Sequence, residues 1–179
     1  MQWKLSNDVN EIQMKELSQA IYISQEQVVK LNHKNIQFLK TKALQNEHKR
    51  SRFCAHIGSD NPVHEMIIVH LKDTYIPPHK HANKSESFHV IEGSADILLF
   101  DEMGNITQLI KMGEYTSGKT FYYRIPDSIY HTLIITSDIF IFHETTKGPF
   151  RRADTQLAPW APPVIDTESI KRYMEKIKS

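Results

Sequence analysis

From about residue 52 onward, apolar and polar positions alternate with a period of two, the spacing that separates the two faces of a β-strand. The pattern predicts strands over residues 53–57, 65–71, 87–91, 95–100, 107–111, 121–125, 131–136 and 139–143. Asp101, Gly104 and Asn105 mark a hairpin turn between two of them. Many short strands with polar turns and little helix between them predict a mostly β chain folded as an antiparallel β-barrel or jelly roll. Upstream the period is helical. Val28, Leu31, Ile36, Leu39 and Ala43 recur on one face, and Ser24 followed three residues later by Gln27 has the form of a capping box. An amphipathic helix is therefore predicted after Ser24, lying on the barrel or on a partner. Before it, a short helix over residues 11–17 and a strand over 20–23 are expected.

After Phe150 the alternation stops. The segment 157–163, Leu-Ala-Pro-Trp-Ala-Pro-Pro, is too rich in proline for a central strand or a helix and should lie extended over the barrel. Asp166 then caps a C-terminal helix, with Glu168 in its first turn and Ile170, Tyr173, Met174 and Ile177 on one face. The expected organisation is an N-terminal strand and helical adjunct over residues 1–49, a barrel over 50–150, and an extended segment with a C-terminal helix over 151–179. The apolar stripes of the two helices exceed what a small barrel needs to cover, which leads to the expectation of a homodimer.

Composition narrows the function classes. With 22 Lys and Arg against 21 Asp and Glu, nothing in the charge balance calls for nucleic acid or an anionic membrane as partner. The single cysteine, Cys54, excludes an intrachain disulfide and fits a reducing compartment. The N-terminal residues lack the apolar stretch of a signal peptide, and no run approaches the roughly 18 apolar residues of a membrane helix. A soluble, cytoplasmic protein is expected.

The chemistry concentrates between Tyr75 and Gly93. His79 and His81 are one residue apart, so on a strand they point to the same face and can grip one ion together. Glu86 follows after enough chain for a bend and a returning strand, and Gly93 ends that strand where a tight turn is wanted. A fourth ligand must come from farther away. His131 supplies it, placed after a turn centred on Pro126 and opening the apolar run 132–135.

Together these segments resemble the paired motifs of the cupin superfamily. His79, His81, Glu86 and Gly93 satisfy every fixed position of the first motif. Gly118, Pro126 and His131 follow the second, in which Ser128 replaces the turn glycine and Ile135 stands where many cupins carry Asn. The resemblance implies a metal held by His79, His81, Glu86 and His131 inside a cupin-type barrel. Residues 50–56, 60–66, 75–81 and 84–93, with the closing Gly148-Pro-Phe and Ala-Pro-Trp-Ala-Pro, are similar to the WbuC-type cupin-fold metalloproteins, a resemblance spanning roughly residues 24–160. It implies a bacterial setting in surface-polysaccharide (lipopolysaccharide O-antigen) gene clusters, and no settled reaction.

Three imidazoles and a carboxylate suit one divalent transition metal ion: Fe, Mn, Ni, Zn or Cu. On an octahedral ion they leave about two positions open. Arg50, Arg52, Cys54 and His56 share one strand face; if that face lines the pocket, guanidinium groups stand near the metal and suit a phosphate or carboxylate. Arg52, His56, His64, His70 and Tyr123 are thus candidate substrate-binding residues for a small, anionic, sugar-type ligand. Three functions stay open at this point. One is a metal-dependent enzyme of carbohydrate or nucleotide-sugar metabolism, isomerase- or epimerase-like. The others are a non-catalytic metal-containing sugar-binding or regulatory module, and an Fe(II) oxygenase.

Overall fold

A computed structural model of the chain describes residues 12–178. Twelve strands and two α-helices run in the order β1 (Met14–Ser18), β2 (Ile21–Ser24), α1 (His33–Gln45), β3 (Arg50–Cys54), β4 (Val63–Leu71), β5 (His79–His81), β6 (Glu86–Glu92), β7 (Ser94–Phe100), β8 (Ile106–Gly113), β9 (Tyr122–Ile125), β10 (Tyr130–Ile135), β11 (Ile139–Lys147), β12 (Thr155–Leu157) and α2 (Thr167–Lys178). They form a seven-stranded sheet, β1-β2-β3-β4-β11-β6-β9, facing a five-stranded sheet, β12-β5-β10-β7-β8. Neighbours are antiparallel except β2 and β3. This is the jelly roll that the alternation predicts, and all eight predicted strands form.

Alternation fails where both faces of a strand are covered. In β11, Phe140 and Phe142 enter the core between the sheets, while Ile141 packs outward under α1 with Leu39, Ala43, Phe53 and Val69. In β7, Ile97 and Leu99 face inward, and Leu98 and Phe100 face outward against Tyr130, Ile134 and Ala158. Trp160, Met174 and Ile177 pack on that outer cluster, so the proline-rich segment and α2 form a second cover. An unbroken apolar run thus reports a helix or strap above the sheet. Of the helical stripes that suggested a homodimer, Leu39 and Ala43 are buried against the barrel, while Ile170, Tyr173, Met174 and Ile177 stay half-buried.

Two local expectations fail. Residues 14–18 form a strand rather than a helix, because an antiparallel partner, β2, follows immediately after a turn with Ala20 at φ 60°. Glu11, the first residue of the expected helix, lies outside the described residues. The helix expected directly after Ser24 begins only at His33. The Ser24 hydroxyl accepts from the Glu26 amide in a local turn, and Asn32 is the cap: its side chain accepts from the Lys34 and Asn35 amides while Asn35 Oδ1 accepts from the Asn32 amide. A serine turn and a helix cap use the same bond, so local sequence does not separate them.

Candidate metal centre

The site is assembled by strand register. His79 on β5 lies directly across from His131 on β10, and His81 returns to the same face two residues on. The turn before β10 is tied to β5 by the Ser128 amide donating to the His81 carbonyl, at 2.8 Å. Ser128 stands in the left-handed region, φ 64°, a conformation that favours glycine. Glu86 opens β6 on the facing sheet. Gly93 ends β6 at φ 83°, where a Cβ would come within 2.0 Å of the Ile139 carbonyl oxygen, so no other residue fits.

The three histidines each offer a ring nitrogen within 4.8 Å of the others. Each ring is held from behind at Nδ1. His79 Nδ1 is 2.9 Å from the Pro77 carbonyl, His131 Nδ1 is 2.9 Å from the Ile129 carbonyl, and His81 Nδ1 is 3.1 Å from the Thr155 hydroxyl. A carbonyl accepts a proton from Nδ1, which fixes the tautomer of His79 and His131 and leaves the Nε2 lone pair free to ligate. Glu86 Oε1 lies 2.7 Å from His131 Nε2 and Oε2 lies 3.2 Å from His81 Nε2. Yet His131 Nε2 and Glu86 Oε1 are buried without an aligned hydrogen bond.

A buried, pre-oriented set of three imidazoles and a carboxylate of this kind fits a cation. The electrostatics agree. Burial, then the nearby His131, pushes His79 down to about 4, so it is neutral at pH 7. Burial works to raise Glu86, but His131 and then His81 outweigh it and hold the carboxyl well below its usual range. For His131, burial works downward and Glu86 outweighs it, leaving the ring above its usual value in the ion-free protein.

The remaining candidates divide. Across the inner face of the seven-stranded sheet, Thr146 is aligned with Glu86 on one side and His64 on the other. One row down, Glu144 is aligned with Phe88 and Met66, and Phe88 with Tyr123. Tyr123 therefore lies diagonal to Glu86, buried, with its hydroxyl unpartnered. Arg52 faces inward and its Nη1 donates to Met66 Sδ at 3.5 Å, bringing the guanidinium to the row of Glu144.

His64 shares the row of Glu86 but spends its ring elsewhere. It stacks on His56 at 4.0 Å, its Nε2 is 3.1 Å from the Ser59 carbonyl, and Gly148 approaches so closely that a Cβ would sit 2.8 Å from the ring. His56 Nδ1 accepts from the Glu65 amide. His70 lies six residues along β4 from His64, about 20 Å at strand rise, stacked on Phe142 beside Arg50. The structure does not bring His56, His64 or His70 to the ligands: the first two brace a loop and the third caps the opposite end of the core.

Sequence reasoning missed Glu144 and Thr155. Glu144 shares its face with Phe140 and Phe142, a parity that was readable, but the predicted strand stops at 143 whereas β11 runs to Lys147. Burial, then Glu86, raises its carboxyl to about 8 in the ion-free protein. Thr155 lies on β12, a short strand that no periodic signal announces.

A family model described as "Domain of unknown function (DUF6016)" matches residues 31–112. No curated protein matches the sequence. Among solved structures, a salicylate 1,2-dioxygenase mutant from Pseudoaminobacter salicylatoxidans, in complex with gentisate, superposes with TM-score 0.54 and 12% identity over 72% of this chain and 37% of its own. The capsular polysaccharide assembling protein CapF from Staphylococcus aureus gives 0.47 at 16% identity, covering 60% and 28%. An oxalate decarboxylase mutant from Bacillus subtilis gives 0.44 at 20%, covering 54% and 24%. The chain thus spans well under half of each of these proteins. No helix among the described residues is long and apolar enough to cross a membrane. The fold shared with the dioxygenase is a cupin-type jelly roll of paired β-sheets, and in this chain a histidine cluster lies in it.

Proposed function

We propose that this chain is a metal-dependent enzyme that holds one divalent transition metal ion on His79, His81, Glu86 and His131 and acts on a small anionic, sugar-type substrate. The surface-polysaccharide setting implied by the WbuC-type resemblance supplies the biological frame. One observation carries the reading: three imidazoles converge with every Nδ1 engaged from behind, beside the buried carboxylate of Glu86. Gathering three rings and a carboxylate in a core is a costly way to fill it and an ordinary way to hold an ion.

An ion bound there supplies a Lewis-acid centre with open positions. The chain's own residues do the rest. The carbonyls of Pro77 and Ile129 and the Thr155 hydroxyl orient the ligating rings, the apolar core beneath excludes water, and Arg52 contributes positive charge for an anion. Elemental analysis of protein purified without added metal tests the proposal. About one equivalent of a transition metal per chain is expected, with loss in His79→Ala, His81→Ala and His131→Ala while the far-ultraviolet spectrum stays that of a folded barrel. Equal metal content in wild type and all three variants would overturn it.

A further inference from the structure

Two polar side chains on the inner face of the seven-stranded sheet, one row from Glu86, have no use in the metal centre itself. Glu144 and Tyr123 sit on either side of Phe88 in one row, and Glu86 lies diagonal to both, about 7–8 Å from each by sheet geometry. Among the described residues, no hydrogen bond reaches the Glu144 carboxyl. The Tyr123 hydroxyl is equally unpartnered, on a side chain only 6% exposed. Burying a phenol beside phenylalanines is costly unless something completes its bond, and the half-buried Glu144 carboxyl next to it is within reach of water or of a ligand. Behind them Arg52, tied to Met66, puts a positive charge within electrostatic reach of Glu144 without pairing to it.

We propose that Glu144 and Tyr123 are ligand-contacting residues of the metal centre, and that they select a small anion carrying at least one hydroxyl group. The anionic end meets the ion, Arg52 adds positive charge from behind, the ligand hydroxyl donates to the Glu144 carboxyl, and Tyr123 donates to a ligand oxygen. The inference rests on the metal reading above and narrows its substrate to hydroxylated acids or phosphates. It requires only that a carboxyl oxygen accept a hydrogen bond, which it does ionised or not.

Acetate and glycolate separate the two halves of this statement, because both are monocarboxylates and only glycolate has a hydroxyl. The full chain is loaded with Co(II), and the visible absorption of the bound ion is followed as each anion is added. Glycolate is expected to bind about tenfold more tightly than acetate, the worth of one added hydrogen bond. Glu144→Leu should retain its Co(II) and bind the two anions alike, whereas Glu144→Gln, whose amide oxygen still accepts, should keep most of the preference. Tyr123→Phe removes only a hydroxyl and should weaken both anions several-fold, a test that stands even if Glu144→Leu does not fold. Equal binding of the two anions by wild type, full preference in Glu144→Leu, or an unchanged Tyr123→Phe would overturn the inference while leaving the metal centre intact. Failure of wild type to take up Co(II) would instead remove the metal centre, and this inference with it.

Discussion

Two groups of three histidines occupy this barrel, and they differ in which ring atoms are satisfied. His79, His81 and His131 are pinned at Nδ1 and leave Nε2 facing one another. His56 and His64 are committed to stacking and to loop carbonyls and amides, whereas His70 stacks on Phe142 at the far end of the core with its Nδ1 unpartnered. In sequence both groups look alike, since His64 and His70 fall on inward positions of a strand just as His79 and His81 do. Face parity shows that a histidine points inward; convergence with other ligand atoms and the partner of its second nitrogen together decide whether it can ligate.

The largest test of this contrast crosses the groups. His131→Ala should lower metal affinity by more than about 100-fold, exceeding the loss typical of a supporting residue, and should also destabilise the ion-free barrel, because Glu86 is left buried without its partner. His64→Ala should retain metal content, and only ion-free stability should fall, by about 1–3 kcal/mol, as the Ser59 loop loses its brace. Metal titration and urea unfolding of both variants decide the matter, and similar profiles would erase the distinction.

A second test uses pH. Burial, then Arg50 and Arg52, pushes His70 down to about 3. Between pH 6.5 and about 3 the unfolded chain takes up a proton that folded His70 refuses, so its contribution is intact above 6.5 and stability falls as pH drops. The slope reaches about 1.4 kcal/mol per pH unit. His70→Phe should flatten the stability curve of the metal-free protein over that window, and an identical slope in variant and wild type would place the acid sensitivity elsewhere.

Most of the site was legible because it obeys strand arithmetic. His79, His81 and Glu86 follow from period and turn spacing, and His131 from a proline turn opening an apolar run. Glu144 was lost to a boundary: β11 goes on to Lys147, but its last residues, His-Glu-Thr-Thr-Lys, carry no apolar alternation because the inward slots there hold the polar Glu144 and Thr146. Asn32 lost to Ser24 as the expected cap because two hydroxyl and amide turns lie close together and only packing of Leu39 and Ala43 on the sheet decides between them. Residues 14–18 became a strand through pairing with β2, a tertiary choice that local pattern does not encode.

Two smaller effects sharpen the comparison. Thr155→Val removes the hydroxyl behind His81 while keeping its shape and should cost about 10–100-fold in metal affinity, less than loss of a ligand. Metal titration beside His131→Ala gives the ranking, and a Thr155→Val protein as weak as His131→Ala would make the hydroxyl more than a support. Ser128→Gly relieves a left-handed backbone and should stabilise the chain by up to about 1 kcal/mol, a rise of about 2–4 °C in Tm, without altering metal content. Unchanged or lower Tm by calorimetry would show that the turn is held without strain.

The bond between Thr155 and His81 spans 74 residues. β12 pairs with β5, so the ring of His81 is oriented by a short strand lying beyond the barrel's last long strand, and the geometry of one ligand depends on a segment outside the main sheets' longest pairings.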